Sequence, residues 1–389
     1  LHNGGWVIMY HSIILRGGRV LDPVCGYDHI KDIYIQDNHI VDKFTPSSDT
    51  LEVSAETYIV LPGLIDYHTH IFYEGTDVSI PPDLSLLPYG VTSAVDAGTT
   101  GVSNYEVFHR HIINDSLMDV RSYISISSSG QVTDQFPENQ DPRVCDEQAI
   151  SRLFSKYGHE LLGIKVRESR NLVGDLNFMP LKKAIELANI LKCRVAVHMT
   201  DSPGSPVEAV TLLRKGDVFA HVFHGKGDTI LDKKGNVLQE IKVAQKNGVL
   251  FDAANGKNNF SFKTAITAIA DGFFPDIIST DLNKNTIFNG VCFNLPWVMS
   301  KYIALGMDLM SVVNACTYGP AVAMNMSDII GSLQLGKQAD VSIFQLCNRK
   351  CTFKDIDNYE LIGNCILIPK MTIKKGRIVF KQIDYDNKG

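Results

Sequence analysis

"GLIDYHTH", residues 63–70, is an apolar β-type run that ends on two histidines, two positions apart. In an extended strand, positions i and i+2 face the same side, about 6.6–6.8 Å apart along the chain. His68 and His70 therefore leave one strand end together and can grip one cation from adjacent directions, while Thr69 faces away. The chain holds its own contrast. His109 and His111 in "YEVFHRHIIND" share that spacing, but the stretch reads as helical. There i and i+2 diverge by about 200°, so the pair is read as surface.

Seven further apolar runs repeat the pattern of the first: "GVTSAVDAG", "RSYISIS", "LLGIKVR", "RVAVHMT", "DVFAHVFH", "GVLFDAA" and "DIISTDL". Between them lie stretches of helical period, such as "MPLKKAIELANILK", "SPVEAVTLLRK" and "LPWVMSKYIALG". Strands alternating with helices in this way imply an α/β fold, a (β/α)8 TIM barrel. A doubly wound sheet is the alternative, weakened because no G-x-G-x-x-G loop sits between a strand and a helix. Both ends of the chain are instead rich in β-branched residues and turn signals ("RGG", "QDN", "KKG"). We expect a small β-sandwich built from both termini, with boundaries at 1–57, 58–328 and 329–389.

In a barrel the C-terminal strand ends meet at one face, where active sites are built. Several of these strands end in a residue able to bind metal. Strand one offers His68 and His70, strand four Lys165, strand five His198, strand six His221 and strand eight Asp281. Each has a plainer reading when taken alone. His198 or His221 would be a satisfied core histidine, and Asp281 would cap the following helix. Lys165 is the anomaly, a cation among Leu161, Leu162, Ile164 and Val166. Together they point to a metal centre.

The signature "LPGLIDYHTH", the strand-four lysine and the β-rich ends resemble the amidohydrolase superfamily over nearly the whole chain, through "GSLQLGKQADVSIF". The strings "GVTSAVDAGT", "KVRES", "HMTDSP", "HVFHGK" and "ACTYGPA" are similar to a subgroup of amidohydrolase/deacetylase enzymes, related to dihydroorotases. The resemblance implies two divalent cations, zinc by default. His68, His70 and Asp281 would hold the more buried one and His198 and His221 the second. Lys165 would bridge them as a carbamate formed from CO2. It also implies attack by a hydroxide shared between the metals, with Asp281 as general base and then acid. The sixth-strand motif departs from the usual "HCFNG": here it reads "HVFHG", leaving His221 as the ligand and His224 near substrate, with His224 as the alternative ligand if the loop shifts.

Arg167 follows Lys165 by two, so it either meets a substrate carboxylate or pairs with a neighbouring acid. Tyr73, His224, Asn255 and Lys257 are further candidates for substrate contact. The expected reaction is hydrolysis of an amide or ester in a small carboxylate-bearing molecule, such as an N-acyl amino acid or acetyl hydroxy acid. The alternatives are opening of a cyclic amide, a mononuclear nucleobase deaminase, and a non-catalytic scaffold.

The net charge of -6 argues against a nucleic-acid surface, and no apolar run approaches the roughly 20 residues of a membrane helix. A small-molecule substrate is expected, with no nucleic acid or membrane partner, and self-association into a homo-oligomer. The opening residues lack the marks of a signal peptide, and Met9 is read as a start. Eight scattered cysteines without a C-x-x-C pair read as reduced thiols of a cytoplasmic enzyme. A zinc–thiolate site at Cys347 and Cys351 is the weaker option.

Overall fold

The computed structural model describes residues 11–288 and 290–385; Met9, read as a start, lies outside them. Seven parallel strands pair in sequence order: strand one (Leu64–Thr69), two (Val91–Ala97), three (Asp119–Ser125), four (Leu161–Arg167), five (Arg194–His198), six (Val218–Ala220) and seven (Leu250–Asp252). The eighth run, "DIISTDL", makes no regular ladder. Its Ile277 bridges Asp252 of strand seven and its Leu282 bridges Thr69 of strand one, both in parallel. That run touches both edges of the sheet, so the eight runs close on themselves. Strands one and two are buried at every position, as strands packed on both faces must be.

The helical stretches form outside this sheet. Met179–Leu191 covers the first, with Lys192 turning left-handed at its end. Pro206–Leu212 starts on Ser205, whose hydroxyl accepts the Glu208 N–H, and Leu295–Ala304 starts on Asn294, which accepts from Trp297. The loop "DSPGSP" thus supplies a helix cap. "YEVFHRHIIND" is helical over Tyr105–Phe108 and continues as a wider π turn over His109–Ile113. His111 is exposed there, but His109 is half-buried on Glu160 at 2.8 Å, so it is not a plain surface residue.

Strands from both ends share a second sheet. Its order is Arg377–Lys381, Ile366–Lys374, Val341–Cys347, Ile59–Pro62, Ser12–Asp22, Tyr27–Gln36 and His39–Val41, with Thr50–Ser54 also on Ser12–Asp22. The seam is antiparallel, with Ile343 opposite Val60. Val20, Ile35, Val60, Val341 and Ile373 pack one apolar core there, separate from the barrel's. Lys374 crosses to the barrel, donating to Asp340 at 2.7 Å and to Asp119, at the start of strand three, at 2.6 Å. No helix among the described residues is long and apolar enough to cross a membrane.

Candidate metal centre

The strand register brings the distant donors to one end. Ser125 pairs with Lys165, Ala196 with Lys165, Arg167 with His198, and His198 with Ala220. His68, His70, Lys165, His198, His221 and Asp281 are all buried. One ligand atom from each of His68, His70 and Asp281 lies within 4.8 Å of the others, the one such group of three among the described residues. His70 Nε2 is 3.3 Å and His68 Nε2 3.9 Å from Asp281 Oδ1. Lys165 Nζ is 3.3 Å from His68 Nε2. The His198 and His221 rings are 4.2 Å apart, and His221 is 5.0 Å from His68.

Hydrogen bonding turns three imidazoles the same way. His68 Nδ1 lies 3.0 Å from the Asp252 carboxylate, and His221 Nδ1 lies 2.8 Å from the Ala254 carbonyl. Both partners only accept, so Nδ1 carries the proton and Nε2 keeps a lone pair that can bind a cation. His70 Nδ1 is 2.8 Å from Thr99 Oγ1, whose own proton goes to Asp96. The hydroxyl must then accept, and His70 also offers Nε2. Imidazoles held this way by an outer partner are typical of metal ligands.

Electrostatics fit the same use. Burial pushes His68, His198 and His221 well below the usual histidine range, keeping them neutral as ligands must be. Burial also pulls Lys165 down to about 8, against the pull of Asp281. No carboxylate among the described residues lies within 4.0 Å of Lys165, so the buried amine bonds to an imidazole alone. Burial pushes the Asp281 carboxyl up, but the imidazoles beside it outweigh that and hold it well below the usual carboxylate range. Two of the donors carry backbone strain: His221 has φ 65° and Asp281 φ 54°, left-handed values that cost about 1–3 kcal/mol each in non-glycine residues. Asp281 is nonetheless tied down. Its N–H donates to the His68 carbonyl at 2.8 Å, and Asn259 Nδ2 donates to its Oδ2 at 2.9 Å.

A cavity of about 420 Å³ opens over the donors, lined also by Arg167, Lys226, Lys257, Asn259, Asp134 and Asn285. Among the residues singled out for substrate contact, Arg167 and Lys257 line it. Tyr73 is 45% exposed and does not line it. His224 and Asn255 are fully buried and do not line it. Burial brings the His224 imidazole down to about 4. Asp252, Asp96 and Asn259 were missed by sequence reasoning. Asp96 and Asp252 carry the same signal as the donors, an acid closing an apolar strand, in "AVDAG" and "LFDAA".

The donor set suits divalent metal: imidazole nitrogen and carboxylate oxygen are zinc's usual ligands, with harder cations accepted too. A model of the amidohydrolase family matches residues 59–379. A deacetylase of Agrobacterium fabrum is 32% identical over 300 residues, 77% of this chain and 73% of that protein. Two solved structures resemble the fold throughout. An adenine deaminase aligns with a TM-score of 0.87 at 27% identity, covering 95% of this chain and 99% of its own. A dihydroorotase aligns with a TM-score of 0.87 at 28% identity, covering 96% and 98%.

Proposed function

This chain belongs to the amidohydrolase family and is a hydrolytic enzyme acting on C–N bonds, and from that premise we propose that it removes the acyl group from a small carboxylate-bearing amide, an N-acyl amino acid by preference. The carrying observation is the buried cluster of His68, His70 and Asp281 with Lys165 beside it, an amine with no carboxylate in ion-pair contact among the described residues. We read His68, His70 and Asp281 as ligands of one divalent cation, His198 and His221 as ligands of a second, and Lys165 as a carbamate between them. Lysine suits that role because burial lowers its pKa and so enlarges the share of neutral amine that can add CO2. Bound cations would polarise the scissile carbonyl and make water acidic enough to attack, chemistry that these side chains lack alone.

The chain's own groups do the rest. Asp281, ionised and fixed by Asn259, takes the proton from the attacking water and returns it to the leaving nitrogen. Arg167 receives the substrate carboxylate, and Lys257 lies at the rim. The cavity suits a small polar molecule, with Val78 its one aliphatic lining residue. We read the terminal sheet as a sandwich around its separate core, with barrel boundaries near 57 and 328. The likeness to a dihydroorotase keeps cyclic amide opening as a second reading.

A screen of N-acetyl amino acids of both hands, acetyl hydroxy acids, cyclic ureides and adenine tests this. Release of acetate from an N-acetyl amino acid is expected. Turnover confined to cyclic ureides would move the assignment to ring opening, and ammonia from adenine would move it to deamination.

A further inference from the structure

The candidate for substrate recognition, Arg167, has a partner that decides which of its donors remain free. Glu138 lies in the loop that follows strand three. Its side chain is 3% exposed, while that of Arg167 is 28% exposed. Both Glu138 oxygens sit on one guanidinium nitrogen, Nη1, at 2.9 and 3.1 Å. Gln131 Oε1 reaches the same nitrogen at 3.4 Å. Gln140 locks the arrangement from both sides, donating to Glu138 Oε1 at 3.3 Å and accepting the Arg167 backbone N–H at 3.4 Å. Nε and the other terminal nitrogen of Arg167 have no protein acceptor among the described residues, and Arg167 lines the cavity.

A carboxylate that served only to neutralise Arg167 would be expected to take two nitrogens in a fork. Here one nitrogen absorbs it, and the remaining edge, Nε with Nη2, is itself a fork for a carboxylate. Arg167 is also two residues beyond Lys165 on one strand, about 6.6 Å along the chain, and is paired in register with His198. A carboxylate held there lies close to the donors, as the α-carboxylate of an N-acyl amino acid lies close to its amide.

We propose that Glu138 is a positioning residue that confers selectivity for carboxylate-bearing substrates, by clamping Arg167 through Nη1 and leaving its other edge to the substrate. This rests on the reading of Arg167 given under Proposed function. It assigns the loop after strand three, rather than the metal donors, as the element that distinguishes a free acid from its neutral derivative.

The test compares kcat/KM for N-acetyl amino acids of both hands with that for their methyl esters, in the metal-loaded enzyme. Glu138→Gln keeps shape and removes charge. Removing Arg167 alone would strand a buried carboxylate, so the Arg-less reference is the double variant Arg167→Met/Glu138→Gln. The wild type is expected to prefer acid over ester, and Glu138→Gln to cut that preference about tenfold or more, a charged hydrogen bond's worth. The double variant should lose at least as much. A preference kept by Glu138→Gln but lost in the double variant overturns the positioning role and leaves the carboxylate reading standing. Equal losses on acid and ester in Glu138→Gln mark a merely structural residue and also overturn it. Wild type that treats acid and ester alike, or cleaves neither, overturns the carboxylate reading itself.

Discussion

Gly98→Ala probes the contact that seats Lys165. Gly98 follows strand two with φ 85°, and a Cβ built there would stand 2.3 Å from Lys165 Cβ and 2.6 Å from its Cγ. Two costs add. The left-handed backbone costs about 1–2 kcal/mol once a side chain is present. Overpacking a close-packed site adds about 1–3 kcal/mol. The neighbour is the root of a side chain on a central strand, so it cannot swing away. Gly272 separates the two costs, since it has φ 77° and nothing within 4 Å of a built Cβ. Gly272→Ala should lose only the backbone part and keep full activity. Gly98→Ala should lose about 2–5 kcal/mol in urea unfolding. It should also lose about a hundredfold or more in kcat/KM, because a displacement near 1 Å at a reacting site has that effect. Metal content and activity are measured on the folded protein. If Gly98→Ala matches Gly272→Ala in stability and keeps its activity, the seating of Lys165 against strand two does not matter and the reasoning is wrong.

Other perturbations address separate parts of the account. Lys165→Ala should lose metal and activity together, with activity partly restored by added short-chain carboxylic acids; undiminished turnover would remove the bridging role. Asp281→Asn should lose turnover far more than bound metal, as metal analysis beside initial rates would reveal. Lys374→Met should destabilise the chain by about 3–5 kcal/mol in urea, since it leaves Asp340 and Asp119 facing each other without the shared ammonium. Burial pushes the Asp119 carboxyl up, but Lys374, Lys375 and Gln338 outweigh it and hold it at about 2. Its folded value lies below the unfolded one, so its contribution of about 2 kcal/mol is present above roughly pH 4 and fades as pH falls toward 2. In Lys374→Met that acid-side loss should shrink; an unchanged acid limb in urea titrations at successive pH values would exclude Asp119 as its source.

Donors on apolar strands were legible because chemistry and pattern conflict there. A histidine pair at spacing two, or a lysine inside "LLGIKVR", stands out against buried neighbours. Partners were harder to read. Glu138 meets Arg167 across 29 positions, and Asp252 meets His68 across 184, so no local spacing announces either pair. Asp252 and Asp96 did end apolar strands and could have been found by the rule that picked Asp281. The eight runs were visible, but the eighth meets its neighbours through one bridge on each side and scattered backbone hydrogen bonds, with a left-handed residue at Asp281. Which terminal strands pair was not legible. The Val60–Ile343 seam joins residues 283 positions apart, and β-rich composition carries no register over such a distance. His224 shows the limit on the other side: its motif suggested substrate contact, yet it is buried outside the cavity lining.

The central claim is a two-cation centre built on His68, His70, Lys165, His198, His221 and Asp281. Its most direct test is the metal content per chain of purified, active enzyme, measured by elemental analysis beside that of Lys165→Ala. The account predicts about two divalent ions per chain, falling sharply in the variant. A value near one that Lys165→Ala leaves unchanged would contradict it.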